Sequence, residues 1–146
     1  MKKFPIIKLM IFDYLIQNGK ITGYAFRKYC EEMGIPVSNG TIYPHLQDLL
    51  REGIIEYQTD GKKKLYHFTK KGEDIVLERQ EKGFVHENLK KYFFKFIYHL
   101  QNTNWNTTKD LERMEYDLDE MKRFLQDEKN KILGSQKQRE SWIRSE

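Results

Sequence analysis

The N-terminal part of the chain carries two stretches in which apolar residues recur at helical spacing. The first predicts a helix over Phe4–Gln17, which the turn-forming pair Asn18-Gly19 ends. The second predicts a helix over Thr22–Met33, with Gly34 as its C-terminal glycine. A third helix is predicted to follow these two.

That third element is a helix with one apolar face. Ser38 and Asn39 can each serve as its N-cap, and Gly53 ends it. Pro44 is expected in or near the first turn, where the N–H that proline lacks would have no partner in any case. The apolar face has the spacing i, i+4, i+7, i+8 and consists of Ile42, Leu46, Leu49 and Leu50.

The period of the pattern then changes from helical to extended. Ile54–Thr59 and Lys64–Phe68 are short runs rich in β-branched and aromatic residues, and Asp60-Gly61 between them predicts a hairpin turn. Thr69 is placed to cap the helix that follows. Three helices and a hairpin predict a winged helix-turn-helix over residues 1–72, so the fold class is mainly α with a small β-hairpin.

Helical periodicity continues beyond the hairpin to about Gln101, with a bend or division expected at Gly83. Residues 102–107 are rich in turn and cap residues and predict a connection. A last helix begins at Thr108, and Gly134 is expected to end its regular part. We therefore predict a helical dimerisation region over 73–138 and a frayed tail over 139–146.

The last two helices carry more apolar surface than the small N-terminal core can cover. The final helix has apolar residues at alternating spacings of three and four, which is the heptad seam of a coiled coil. Self-association would bury this surface, so the sequence predicts a homodimer. The residues expected at the dimer interface are Leu89, Phe93, Phe96, Leu111, Met114, Leu118, Met121 and Leu125.

Aromatic residues in this region admit a second interpretation, a pocket for a small aromatic effector. An ordinary dimer core is the favoured interpretation, and nothing in the sequence identifies a ligand. The residues concerned are Tyr92, Phe93, Phe94, Phe96, Tyr98 and Trp105.

Composition agrees with one small domain that has a helical extension. The 146 residues are 38% hydrophobic and 33% charged, and an aromatic content of 14% argues against disorder. Cys30 is the only cysteine, which excludes an internal disulfide and a cysteine-based zinc site and fits a reducing compartment. The longest apolar stretch, Pro5–Ile16, contains Lys8 and Asp13, so no membrane span is expected and the predicted location is cytoplasmic.

Positive charge is concentrated in the predicted winged helix. The net charge of the whole chain is +4, and residues 1–68 hold ten basic and seven acidic residues, whereas residues 102–146 have a net charge of −1. Lys62, Lys63 and Lys64 lie at or beside the predicted hairpin tip. Three lysines at a tip are compatible with simple solubility, but contact with DNA phosphates is favoured in a winged helix.

The polar face of the third helix gives the remaining candidates for contact with double-stranded DNA. A helix-turn-helix places this helix in the major groove, so the face opposite the apolar one would meet bases and phosphates. The alternative is a merely solvated face. The candidates on and around this helix are Ser38, Asn39, Thr41, Tyr43, His45 and Gln47.

The stretch Ser38–Leu46 (SNGTIYPHL) resembles the recognition helix of the PadR family of transcriptional regulators, which shows S-x-G-T-[IL]-Y-P-x-L. The resemblance includes Thr22-Gly23-Tyr24, Leu49–Ile55 and Lys64–Gly72, or about half of the chain. It implies a dimeric DNA-binding repressor that responds to small molecules. It also implies recognition roles for Thr41 and Tyr43 and a backbone contact for Tyr24. The C-terminal region shares no motif with the phenolic-acid-responsive members, so no effector identity carries over.

Catalytic and metal-binding patterns are not apparent in the sequence. The four histidines are not spaced i, i+3 or i, i+4, and no phosphate loop or nucleophile elbow is present. We therefore expect no enzyme activity, no metal and no cofactor. The predicted function is a homodimeric transcriptional regulator, with a protein-interaction module and a small-molecule sensor as the alternatives.

Overall fold

The computed structural model describes residues 5–82 and 87–145, and the chain divides into two compact units, Met1–His86 and Glu87–Glu146. The first unit therefore extends beyond the residue 72 limit expected from the sequence and includes the fourth helix. The described elements, in chain order, are α1 Ile6–Asn18, α2 Gly23–Glu32, α3 Asn39–Arg51, β1 Ile55–Asp60, β2 Lys63–Phe68, α4 Lys70–Lys82, α5 Glu87–Gln101 and α6 Thr108–Arg144. They confirm the mainly helical fold class with one β-hairpin.

The core of the first unit lies where α3 packs against α1 and α2. Ile21, just before α2, bonds in both directions to Tyr66 of β2 (N–O distances 3.0 and 2.8 Å), so the hairpin is attached to the helices through main-chain bonds. This arrangement confirms the winged helix-turn-helix. The most deeply buried apolar side chains include Met10, Ile11, Leu15, Ile21, Phe26, Cys30, Ile35, Ile42, Leu46, Leu49 and Ile55.

The hairpin closes one residue later than the Asp-Gly signal suggests. Its antiparallel register runs from Ile55↔Phe68 to Asp60↔Lys63, so Gly61 and Lys62 form a two-residue connection. Gly61 has φ 62°, and a positive φ at the first of two connecting residues is the position that glycine favours in a hairpin turn. Asp60 therefore ends β1 instead of lying in the turn.

Pro44 lies deeper in its helix than expected. Because α3 begins at Asn39, with Ser38 as its N-cap, Pro44 is its sixth residue and not part of the first turn. Proline has no N–H to donate to the carbonyl of Gly40, so the hydrogen-bond ladder of α3 is interrupted there.

The wing of the winged helix, which is the hairpin of β1 and β2, joins α4 through a tightly built junction. Thr69 Oγ1 donates to the Gly53 carbonyl (2.5 Å) and accepts from the Gly72 amide (3.1 Å), which confirms Thr69 as the cap of α4. A Cβ on Gly72 would lie 2.2 Å from the Ile54 carbonyl oxygen, so only glycine fits at this point. The Thr69 hydroxyl and the close approach of Gly72, together with the bond from the Thr69 amide to the Ile54 carbonyl (3.0 Å), therefore join the end of α3 to the start of α4.

In the second unit α5 packs against α6, and a polar pair lies between them. His99 Nδ1 and an oxygen of Asp117 form a short hydrogen bond, and both side chains are buried. His99 is thus a satisfied core histidine. Nearer the surface, Lys95 and Glu120 form an ion pair of 3.3 Å.

Helix α6 continues through Gly134 to Arg144, so the sequence-based expectation of an earlier end and a frayed tail differs from the structure. A glycine inside a helix costs only about 1 kcal/mol, and the residues that follow it are mostly good helix formers. The bend expected at Gly83 lies outside the described residues. No helix among the described ranges is long and apolar enough to cross a membrane.

Candidate nucleic-acid interface

Helix α3 presents one face to the core and the other to solvent. Ile42, Leu46 and Leu49 are at most 1% exposed, as the apolar spacing predicts. Five of the predicted contact residues are exposed on or beside the other face, namely Ser38, Asn39, Thr41, Tyr43 and Gln47. The polar face is therefore accessible to a ligand over the N-terminal half of the helix.

The N-terminal end of α3 has the geometry of a helix start without a side-chain cap. Ser38 has extended φ and ψ values (−88° and 163°), and its hydroxyl makes no capping bond. Instead Ser38 Oγ lies 3.4 Å from Thr41 Oγ1. Two hydroxyls and the first amides of a helix together form a surface that favours phosphate.

His45 differs from the other predicted contacts because it is half-buried. Burial lowers the pKa of its imidazole below 6.5, and nearby Lys8 lowers it further, whereas Asp48 raises it. These neighbours place His45 toward α1, where Lys8 also pairs with Glu52 at 2.7 Å. Burial therefore favours the neutral form of the ring in the unliganded protein.

Tyr43 lies against the start of α2. A Cβ built on Gly23 would be 3.0 Å from Tyr43 Oη and 3.2 Å from its Cζ, so the absence of a side chain at Gly23 gives the phenol its position. Tyr24, the next residue, is 64% exposed, and the Arg27 guanidinium lies 5.7 Å from its ring centroid. The structure thus brings the predicted residues Tyr24 and Tyr43 close to the same helix start.

The three wing lysines are exposed, as predicted. Lys62 lies in the turn and Lys63 begins β2, opposite Asp60. The ammonium group of Lys64 lies 4.7 Å from the ring centroid of Tyr57, which holds the side chain against the hairpin.

A cleft of about 360 Å³ brings several of these residues together. Its lining comes from the start of α2, from α3 and from the wing, and consists of Thr22, Gly23, Tyr24, Tyr43, Lys62, Lys63, Lys64 and Tyr66. Five of these were predicted contacts. Three were missed, because Thr22 looks like a cap, Gly23 has no side chain, and Tyr66 in a strand looks like core.

The residues predicted for dimerisation divide into three groups by burial. Met114 is 8% exposed and packs inside the second unit, so it is not available to a partner. Leu89, Phe96, Leu111 and Met121 are half-buried. The exposed members are Phe93 at 41%, Leu118 at 50% and Leu125 at 56%.

Of the aromatic side chains considered for an effector pocket, two behave as core residues of the second unit. Phe94 is buried, and the ring of Tyr92 packs on that of Phe124 with centroids 5.7 Å apart. Trp105 is 66% exposed.

Cys30 is fully buried, and burial together with the nearby Glu31 raises the pKa of its thiol to about 12. A thiol in this state is unreactive, so Cys30 acts as a small core residue. Among the described residues no cluster of His, Cys, Asp or Glu could hold a metal ion.

Residues 13–78 match the family model described as the transcriptional regulator PadR-like family. One similar solved structure is that of H. salinarum RosR, which is 24% identical in sequence; the match covers 80% of this chain and 91% of that chain, with a TM-score of 0.46. Another is Bacillus subtilis PadR in complex with operator DNA, which is 14% identical; the match covers 81% of this chain and 95% of that chain, with a TM-score of 0.46. A third is a PadR-family regulator from Eggerthella lenta, which is 26% identical; the match covers 53% of this chain and 70% of that chain, with a TM-score of 0.41. No protein of curated function matches the chain.

Proposed function

Through residues 13–78 this chain belongs to the transcriptional regulator PadR-like family, and we propose that it binds double-stranded DNA sequence-specifically, as a homodimer on a pseudo-palindromic operator, and represses transcription there. The observation that carries the proposal is the common cleft. Tyr24, Tyr43 and the wing lysines come from three separate elements, and each is a DNA-contact candidate on independent grounds. The description of this family refers to the regulation of transcription.

In this mechanism the two main parts of the surface have different tasks. Helix α3 enters the major groove, where Gln47 pairs with an adenine edge and the residues near Ser38 and Thr41 contact phosphate. The wing lysines lie along the flanking backbone and contribute affinity by releasing counterions. His45, half-buried on α3, remains a candidate for contact with a base edge or a phosphate.

Dimerisation is supported by the apolar seam that α6 leaves exposed. Leu118, Leu125 and Ile132 are seven residues apart and 50%, 56% and 61% exposed. A helix of 37 residues is about 55 Å long, which is enough to form a stable interface with a second copy. A twofold axis would then place two copies of α3 in successive major grooves, about 34 Å apart.

DNA binding is tested by selection from a duplex library with a random central region. We expect enrichment of a site with two inverted half-sites whose centres are about 10 base pairs apart. Failure to enrich any sequence over the starting library would contradict sequence-specific binding. Repression is tested by in vitro transcription from a promoter that carries the selected site, and increased transcript on addition of the protein would contradict it.

The role of the wing is tested with a variant in which Lys62, Lys63 and Lys64 are all changed to alanine. The slope of log K against log salt should become shallower by up to about 2.7 for each bound protomer, because each lost phosphate contact contributes about 0.9. A variant with alanine at the exposed Lys109, Lys122 and Lys129 of α6 has the same change in charge and should keep the slope. Equal slopes for the two variants would exclude the wing from the interface.

The dimer is tested by sedimentation equilibrium. The protein should have twice the 17.7 kDa mass of one chain, and Leu125→Lys should reduce it toward the monomer mass. Gln126→Lys introduces the same charge one residue away from the seam and should remain dimeric. A wild-type protein of monomer mass at working concentration would contradict the proposal.

A further inference from the structure

The cleft of the first unit contains a polar group that the contacts described so far do not explain. Tyr66 is 1% exposed, lines the cleft, and its hydroxyl has no hydrogen-bond partner among the described residues. A buried hydroxyl without a partner destabilises a protein by about 1–3 kcal/mol, and phenylalanine would fill the same space without that cost. The hydroxyl is therefore best explained by an acceptor that arrives with a ligand.

The protonation state of Tyr66 makes it a donor. Burial raises the pKa of its phenol above 10, and the neighbouring phenols of Tyr43 and Tyr57 raise it further. The group consequently keeps its proton at neutral pH and offers an O–H to a negatively charged oxygen.

Other donors face the same cleft from the start of α2. The side chain of Thr22 accepts from the Ala25 amide at 3.0 Å, which leaves the earlier amides of Gly23 and Tyr24 outside this cap. The first amides of a helix have no carbonyl partner within it, and they carry the positive end of the helix dipole. Because Gly23 has no side chain, a ligand can approach its backbone closely.

The charge of the cleft selects the ligand. Of its eight described lining residues three are lysines and none is acidic. Lys64 lies two residues before Tyr66 on β2, so both side chains leave the same face of the hairpin. A small anion with several acceptor oxygens matches this combination of hydroxyl, amides and ammonium groups.

We propose that the cleft binds one backbone phosphate of the DNA duplex, with the Tyr66 hydroxyl and the first amides of α2 as donors and the wing lysines as counter-charges. This inference rests on the proposed function and adds to it a specific anchor between the wing and α2. Because the Tyr66 oxygen is buried in the unliganded protein, an exposed and flexible lining side chain such as Lys63 shifts when the phosphate enters, while Tyr43 keeps its place against Gly23.

The first test compares Tyr66→Phe with Tyr57→Phe on a duplex recovered from the library selection. Tyr57 lies opposite Tyr66 on the hairpin but outside the cleft lining, so its variant is a matched control for loss of a phenolic hydroxyl. Tyr66→Phe should weaken binding at least about tenfold per half-site, as expected for a lost hydrogen bond to a charged group. Its melting temperature should not fall, because no protein partner is lost. A lower melting temperature with unchanged affinity would identify a structural role and overturn the proposal.

The second test replaces single phosphates of that duplex with neutral methylphosphonates, one position at a time. The wild-type protein and Tyr57→Phe should both lose affinity at one common position in each half-site, and Tyr66→Phe should be insensitive at that position alone. Identical profiles for all three proteins would overturn the proposal. A chain that binds no duplex would contradict the proposed function as well, whereas wild-type binding with an unaffected Tyr66→Phe contradicts only this inference.

A third measurement distinguishes a backbone phosphate from a free one. Inorganic phosphate is titrated against the protein without DNA at constant ionic strength, and the amide NMR signal of Gly23 is followed. We expect no saturable shift at millimolar phosphate, because the site depends on the rest of the duplex for affinity. A saturable shift that is lost in Tyr66→Phe would identify a site for a free anion and overturn the assignment to the DNA backbone.

Discussion

The substitution Gly23→Ala separates the stability of the winged helix from its proposed binding function. The added Cβ would lie 3.0 Å from Tyr43 Oη and 3.2 Å from Tyr43 Cζ. Carbon atoms pack at about 3.5–4.0 Å, so the phenol must move by about 0.5 Å to relieve the contact. Tyr43 is 44% exposed, and its ring has room to move outward.

The expected effects on stability and binding have opposite signs. Gly23 has no positive φ, so alanine at this position reduces the entropy of the unfolded chain and raises the free energy of unfolding by up to about 1 kcal/mol. The displaced phenol loses a contact worth on the order of 1 kcal/mol, which corresponds to about fivefold weaker DNA binding per half-site.

The assay combines urea unfolding with fluorescence anisotropy on the selected duplex. Gly134→Ala is the matched control, because a Cβ there meets nothing within 4 Å and the residue lies in α6. This control should be more stable by about 1 kcal/mol and should bind like the wild type. Unchanged affinity in Gly23→Ala would refute the claim that Gly23 sets the position of a DNA-contacting Tyr43, and a parallel loss of stability and affinity would show that the site is simply damaged.

Three further predictions concern the fold of the first unit. Thr69→Ala should lower the free energy of unfolding by about 1–2 kcal/mol in a urea titration, because the cap of α4 is lost. Thr69→Ser keeps the capping hydroxyl and should retain most of the wild-type stability. Equal stability of the two variants would contradict the capping role. For His45 the folded-state pKa lies below the unfolded value of 6.5, so the unfolded chain binds more protons and stability falls as the pH drops through 6.5 toward the folded pKa. Urea unfolding curves measured between about pH 7 and pH 5 should show this loss of stability, and the loss should be smaller in His45→Gln. If the free energy of unfolding falls with the same slope against pH in both proteins, the effect belongs to another group. The Cys30 thiol, with a pKa of about 12, should react with iodoacetamide near pH 8 only as fast as the protein unfolds, and rapid labelling of the native protein would contradict its burial.

The elements of the first unit follow from local sequence signals because each signal has one dominant physical cause. The apolar spacing of α3 predicts its buried face, and Thr69 predicts the cap of α4. The hairpin was located correctly but its turn was displaced by one residue. Asp-Gly and Gly-Lys both fit a two-residue connection, and the choice between them depends on the pairing of Tyr57 with Tyr66, which is a non-local contact.

The candidate site was predictable only in part. Exposed polar residues such as Gln47 and the wing lysines follow from the helical and hairpin patterns. The cleft does not, because it requires Ile21 to pair with Tyr66 and thereby brings β2 next to the start of α2. Sequence spacing contains no information on this pairing, and a tyrosine in a strand is indistinguishable from a core residue until its hydroxyl is located.

The length of the last helix was also beyond a local signal. Gly134 is a normal stop signal, and its effect was overestimated because an interior glycine costs a helix only about 1 kcal/mol and the residues around it are mostly good helix formers. Likewise Met114 belongs to the heptad seam by spacing, but α5 of the same chain occupies that part of it. Spacing identifies an apolar face without identifying what covers it.

The proline in α3 divides the helix into two mechanically different parts. Beyond Pro44, Leu46 and Leu49 fix the helix rigidly to the core. Before it, the turn from Asn39 to Tyr43 lacks the bond that would tie Gly40 to the next turn and is attached to the core through Ile42. In the proposed complex the end of α3 that faces phosphate is thus held by fewer main-chain bonds than the end that carries Gln47, so operators whose groove widths differ slightly would be accommodated at the phosphate-facing end while the base-reading end keeps its orientation.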